Sequence, residues 1–284
     1  MTDGAGVEAA DRYRVKSVQR ALRLVELIAD AAPDGLTVTE MARQLKISKS
    51  TAFALAQTLL ANGYLRDVQP GPRYQLGLAF LRLGDLVSRQ IPLGDTYRPV
   101  LVQLTEATGL TSRAAISEDG YPVFIERVDG PGTVRFHTLL GHREAPHASA
   151  AGKAILATLP TADVERICES HGLPRHTRNT ITEVPILLDD LERTRRRGFS
   201  IDDEEDAEGV FCIAAPFFDH SQRCVGAISV TGIKIDVPSW KMQEFGHLVT
   251  DHARILTSRF NGHTPTFDPS SDPRTQDLVH EVSN

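Results

Sequence analysis

Apolar residues recur at helical spacing twice between Thr37 and Gly63, with a polar break between the two stripes. Met41, Ala42 and Leu45 form the first stripe, and Ala52, Leu55, Ala56, Leu59 and Leu60 form the second. Thr37 and Glu40 have the spacing of a capping box, in which a threonine oxygen accepts an orphan helix amide while the glutamate reaches back. Lys46-Ile47-Ser48 supplies a turn, with Ile47 able to plug a small core and Ser48 placed to cap the second helix. Asn62-Gly63 stops that helix. Tyr64–Asp67 and Tyr74–Leu76 then read as two short strands around Gln69-Pro70-Gly71-Pro72-Arg73. Two helices, a tight turn and a hairpin form the pattern of a winged helix-turn-helix.

Further along, Leu78–Val87 reads as a connecting helix, broken by Pro92 and Gly94. The body after that break predicts a helix over 95–108 and a hairpin of strands 111–117 and 121–128. A strand over 133–139 and helices near 149–159, 161–170 and 185–196 follow. A second hairpin pairs 211–218 with 224–233, and a helix over 239–260 closes the domain. Hairpin-linked strands with interspersed helices imply an α+β fold with an antiparallel sheet covered by helices. The expected division is a disordered start (1–12), the winged domain (13–77), a linker helix (78–91), the sheet domain (92–261) and a disordered tail (262–284).

Charge sharpens this division. Residues 12–73 hold ten Lys/Arg against five Asp/Glu, whereas residues 91–284 hold 19 against 28. The overall net charge of −6 therefore conceals a basic head on an acidic body. Affinity for a duplex comes from counterions displaced where the chain touches phosphate, so a local basic face suffices. The recognition end of the second helix would present Ser48, Lys49, Ser50, Thr51, Ala54 and Gln57 to the major groove. Lys16, Arg20 and the wing's Arg73 add cations for the backbone. The expected partner is double-stranded operator DNA.

The three cysteines (Cys168, Cys212, Cys224) are too few and too far apart for a disulfide framework or a CxxC zinc site. No apolar run is long enough for a membrane span, and a cytoplasmic location is expected. In His147-Ala148-Ser149-Ala150-Ala151-Gly152 a helix begins with almost no bulk. Bare amides at a helix start can receive an anion, although a tightly packed helix entry would read the same way.

VKSVQRALRLVELI, LTVTEMARQLKISKSTAF, APHASAAGKAILA and, above all, LERTRRRGFSIDDEEDAEGVFCIAAPFFDHSQRCVGAISVTG closely resemble the IclR (isocitrate lyase regulator) family of bacterial transcription regulators. The resemblance runs from about Val15 to Phe260. It implies a winged head, a GAF-like effector-binding body, and dimers that pair into tetramers on a pseudo-palindromic operator. It also implies that Ala150 and Ala151 offer amides to the oxygens of a small organic acid, with Phe136, Asp202, Val210, Cys212, Ser229 and Thr231 lining the rest. Repression is the expected direction of control. One departure stands out: family members usually carry Arg where this chain has Ala54. Base reading is therefore expected to fall on Lys49, Ser50, Thr51, Phe53 and Gln57.

The alternative is an enzyme, or a metal or redox sensor, built on Cys212 with His137, His142 or His147 and Asp202. No nucleophile-elbow motif surrounds Cys212, and no His/Cys pair has metal-ligand spacing, so neither cofactor nor metal is expected. The acidic run 202–206 lacks the spaced oxygens of a calcium loop and is expected to be mostly solvated, with Asp202 turned inward. Arg193, Arg195, Arg196 and Arg197 precede Gly198 at a helix C-terminus, where the helix dipole favours cations. Pairing with the acidic run is a further expectation for them.

Overall fold

The computed structural model describes residues 15–69, 71–90, 93–133, 136, 140–235 and 237–265. The chain divides into two compact units, residues 1–91 and 92–284. In the first unit α1 (Lys16–Asp30) is followed by β1 (Leu36–Thr37), α2 (Val38–Leu45), α3 (Lys49–Ala61), β2 (Leu65–Val68), β3 (Arg73–Leu76) and α4 (Ala79–Gln90). The capping box forms as the spacing predicts: the Glu40 amide donates to Thr37 Oγ1 (3.3 Å) and the Thr37 amide to Glu40 Oε2 (2.7 Å). Lys46, in the left-handed region, ends α2, and Ser48 Oγ caps α3 by accepting the Thr51 amide. These local choices seat Met41, Ala42, Ala52 and Ala56 against Leu24 and Ile28 of α1 and Leu65 and Tyr74 of the wing. Ile47, Leu55, Leu59 and Leu60 pack around this core. The wing is a three-stranded antiparallel sheet in the order β1-β3-β2, one strand more than the hairpin expected.

The second unit opens with a π-helical turn (Leu93–Tyr97) running into α5 (Arg98–Thr108). Its antiparallel sheet has the order β5-β4-β8-β7-β6. The strands are β4 (Thr111–Glu118), β5 (Tyr121–Val128), β6 (Ser200–Asp203), β7 (Val210–Phe218) and β8 (Cys224–Ile233). The helices α6 (Ala150–Leu156), α7 (Thr161–His171), α8 (Val184–Arg197) and α9 (Ser239–Arg259) complete the unit. Because side chains alternate across a pleated strand, β7 sends Phe211 and Phe217 to one face. There Phe211 stacks on Phe245 of α9 and Phe217 meets Tyr97 and Phe260. Cys212 and Ala214 point to the opposite face, where Ala115, Phe124 and Ala227 pack against Ala150, Ala151, Ala154 and Ile155 of α6. Small residues on both sides let helix and sheet approach closely. On the outer side of α6, Leu156 packs with Val164 and Ile167 of α7 and Leu187 and Leu191 of α8.

The α+β architecture agrees with the expectation from the sequence. Two features differ from it. The start of the acidic run is a strand, β6, paired with β7. Of the expected strand 133–139, only Thr133 and Phe136 are described, and neither lies in a strand; the remainder falls outside the described residues, as do the tail residues 1–14 and 266–284.

Candidate functional site

On the DNA side, α3 opens with a hydroxyl cluster, Ser48 Oγ lying 2.9 Å from Ser50 Oγ and 2.8 Å from Thr51 Oγ1. Lys49, Ser50 and Ala54 are exposed, and Phe53 is half exposed at 50%. Gln57 is half-buried and donates to Tyr74 Oη (3.2 Å), which ties α3 to the wing. Lys16 and Arg20 are exposed on the first turns of α1. Arg73 opens β3 instead of standing in the turn. Its guanidinium donates to the carbonyls of Asp34 and Gly35, both at 2.9 Å, and lies 3.5 Å from Glu40. Those contacts tie the partly exposed side chain to the turn before β1 and to Glu40.

In the second unit, strand register assembles the face beneath α6 in two rows. Asp202, Cys212, Thr231 and Thr111 stand opposite one another across β6, β7, β8 and β4, and the adjacent row is Ser200, Ala214, Ser229 and Arg113. Cys212 Sγ is 3.3 Å from Thr231 Oγ1 and accepts from Arg113 Nη2 at 3.4 Å. Asp202 Oδ1 accepts the Glu205 and Asp206 amides (2.7 and 3.3 Å). Burial pushes the Asp202 carboxyl up to about 7, with neighbouring Glu205 adding to the effect and those amide bonds opposing it. Burial likewise raises the Cys212 thiol to about 12, which keeps it in the neutral form. The Ser229 hydroxyl is fully buried without a hydrogen-bond partner.

The remaining expected residues surround these rows. Ala150 and Ala151 are buried at the start of α6, where Ser149 Oγ accepts the Gly152 amide (3.2 Å). The first amides of a helix have no intrahelical acceptor, so those of Ala150 and Ala151 depend on some other partner. Gly152 serves packing: a Cβ there would lie 2.4 Å from the Pro146 carbonyl oxygen. Val210 borders the α6-facing core. Phe136, whose carbonyl accepts from Arg127 at 3.1 Å, joins Thr231 in lining an open cavity of about 300 Å³ at the ends of β4 and β8.

Three groups escaped the sequence reading. Arg113 is buried, its guanidinium 4.4 Å above the Phe124 ring and 3.6 Å from a Glu144 oxygen. Its inward direction follows from strand alternation with Ala115, a signal present in TSRAAIS. Lys153, with no exposed surface, donates to both Glu205 oxygens (2.6 and 2.7 Å) and lies 3.0 Å from Asp190. Glu205 is thus buried along with Asp202, the member of the run expected to turn inward. Of the arginines ending α8, Arg193 pairs with Asp190, and Arg195 and Arg196 with Glu192 of the same helix, while Arg195 also donates to the carbonyls of Ala157 (2.8 Å) and Leu159 (3.2 Å). Among the expected histidines, His142 is exposed, His147 is buried against the Pro174 carbonyl, and His137 lies outside the described residues. No group of three metal-ligating side chains occurs among the described residues.

A winged helix-turn-helix joined to a helix-covered antiparallel sheet bearing a buried polar patch defines an HTH-type transcription regulator, and the comparisons agree. Residues 17–69 match the IclR helix-turn-helix domain, and residues 86–258 match the family described as bacterial transcriptional regulator IclR C-terminal. The chain belongs to the IclR family. It is 32% identical over 252 residues to the HTH-type transcriptional regulator BhcR of Paracoccus denitrificans, covering 89% of this chain and 90% of that protein. It is also 32% identical to the transcriptional repressor IclR of Escherichia coli, covering 88% and 91%. An IclR homologue from Microbacterium hydrocarbonoxydans, solved with 4-hydroxybenzoate, shares the fold at a TM-score of 0.72 and 19% identity, over 86% of this chain and 99% of that one. The family consists of DNA-binding transcription regulators, not enzymes. Among the described residues, no helix is long and apolar enough to cross a membrane.

Proposed function

We propose that this protein is a cytoplasmic repressor whose hold on operator DNA is set by a small organic acid bound beneath α6. The observation that carries the reading is the polar patch Asp202, Cys212, Ser229 and Thr231. The unpartnered, fully buried Ser229 hydroxyl in this patch has no packing use, because such a group costs free energy unless something bonds it. Phe136 and Val210 supply apolar walls, and the amides of Ala150 and Ala151 supply donors. The 4-hydroxybenzoate complex of a structural neighbour supports an acid as ligand.

At the DNA end, Ser48, Lys49, Ser50, Thr51 and Phe53 read bases, with Gln57 as much a wing tie as a reader. Lys16 and Arg20 hold phosphates, whereas Arg73 keeps its structural contacts. Exposed Val15, Val18 and Leu22 at and after the start of α1, and Leu78 and Leu81 at and after the start of α4, favour self-association into a dimer or tetramer. Paired heads would need a pseudo-palindromic operator. By linkage, an acid that weakens operator binding must be bound more weakly when operator is present, by the same factor. Operator titrations by fluorescence anisotropy, with and without a panel of aliphatic and aromatic acids, test this. An acid-dependent change in affinity that disappears in Thr231→Val is expected. An operator affinity that no acid alters would overturn the coupling.

A further inference from the structure

We propose that His147, His171 and His176 form an acid-released latch, which fastens the link between α7 and α8 (residues 172–183) to the entry of α6 and lets it go when His147 takes up a proton. The inference stands apart from the effector reading, since it concerns only how this link is held. His147 has no exposed surface, and its Nε2 lies 3.0 Å from the carbonyl oxygen of Pro174 in the link. A carbonyl can only accept, so Nε2 carries the ring's proton and Nδ1 keeps a bare lone pair. That Nδ1 is buried without a hydrogen-bond partner. A further proton can go only to this buried nitrogen, where nothing receives the new N–H.

The neighbours oppose the added charge. The ring centroids of His171, at the end of α7, and His176, in the link, lie 6.4 and 5.8 Å from that of His147. Each is itself an imidazole able to become a cation. The carboxylate that faces the group is Asp206 of the turn after β6, and its Oδ1 already lies 2.8 Å from His176 Nδ1. From β5, Tyr121 meets His171 edge-on. On His147's own loop His142 is exposed, Arg143 pairs with Glu118 at 2.9 Å, and Glu144 faces Arg113. On α6, Lys153 is held by Glu205 and Asp190. Protonation would therefore leave an uncompensated buried cation, and release of the link hydrates it. Burial accordingly holds the ring below its ordinary 6.5, with the Pro174 bond opposing this and the two histidines adding to it. The stability this group contributes is intact above about 6.5 and is lost as pH falls below it. Release would reach α6 twice over. Thr177 and Thr180 of the link donate to the carbonyls of Glu204 and Glu205, both at 2.6 Å, and Glu205 in turn receives Lys153. Freeing the link thus loosens the helix at its entry and at Lys153.

The test uses full-length protein, with urea unfolding and amide hydrogen exchange at pH 8 and pH 5. His147→Gln keeps an amide N–H for the Pro174 carbonyl and cannot take up a proton. The folding constant of the parent relative to this variant should fall several-fold from the higher pH to the lower, with about tenfold per pH unit below the ordinary value as the ceiling. In the parent, amides of residues 172–183 should lose protection in acid, after correction for the intrinsic rate, while those of β7 and β8 keep theirs. In His147→Gln the link should stay protected. His171→Gln, at the exposed end of α7, removes one neighbouring charge and should shrink the acid loss without abolishing it. It carries the test if His147→Gln does not fold. An acid loss in His147→Gln equal to the parent's would overturn the latch, as would an equal loss in His171→Gln where the first variant does not fold. So would a link whose protection in the parent is the same at both pH values.

Discussion

Asp202 shows how a single side chain can carry a pH dependence into the pocket. It is 2% exposed, and its Oδ1 spends its accepting capacity on two amides of the turn after β6. Burial lifts the carboxyl from its ordinary 3.8 to about 7. A raised folded-state value means that the neutral acid fits the fold better than the carboxylate. The stability this group contributes is therefore complete below about 4 and is lost as pH rises through about 7. Asp202→Asn keeps an oxygen for the amides and has no charge to desolvate. The variant's stability advantage over the parent should be larger at pH 8 than at pH 5, by on the order of a few kcal/mol. Urea unfolding at the two pH values measures this, and equal differences at both would refute it. The inward turn of Asp202 was legible in the sequence through the family resemblance. Arg113 was legible in principle, since it alternates with Ala115 on β4, but a lone arginine in a strand gives no sign that its partner is Glu144, thirty-one positions away in a loop.

At the level of elements, α6 is clamped by a charge cluster that no local pattern announces. Lys153 would ordinarily mark a solvated helix face, yet Glu205 from the turn after β6 and Asp190 from α8 both close on it. The three segments meet only in the folded sheet, so hydrophobic periodicity could not reveal them. Helices with strong stripes and caps were readable: α2, α3, α5, α8 and α9 lie close to their expected bounds. The short strands β1 and β6 were not, because two to four residues give alternation little length to register and, unlike β2 and β3, they are not flanked by a Pro/Gly hairpin turn. Lys153→Met should be strongly destabilising, by about 3–5 kcal/mol, because it leaves two buried carboxylates without their cation. Adding Glu205→Gln and Asp190→Asn should recover much of that loss, since the uncompensated charge then disappears. Chemical denaturation of the single and triple variants distinguishes this from mere loss of packing, in which case the triple variant would be no better than the single.

Across the whole molecule, the opposed charges of the two units decide how DNA binding should respond to salt. The basic segment 12–73 holds twice as many Lys/Arg as Asp/Glu, while the remainder beyond residue 90 is acidic, so phosphate contact is expected of the head alone. Affinity should then fall linearly with the logarithm of salt concentration, at a slope set by the phosphates neutralised. Arg20 is exposed on α1 and is proposed to touch backbone. Arg20→Gln should lower affinity for operator and unrelated duplex alike and reduce the slope by about one. Thr51→Val, at the hydroxyl-lined start of α3, should weaken operator binding alone and leave the slope unchanged, because base contacts release no counterions. Anisotropy titrations at several salt concentrations resolve the two effects. If Arg20→Gln left the slope intact while Thr51→Val changed it, the roles assigned to α1 and α3 would have to be exchanged. Lys49 is the one Lys or Arg on α3, which makes that distinction informative: on the proposed contacts, specificity would fall to the short polar groups and Phe53, and most of the salt slope to cations elsewhere in the head.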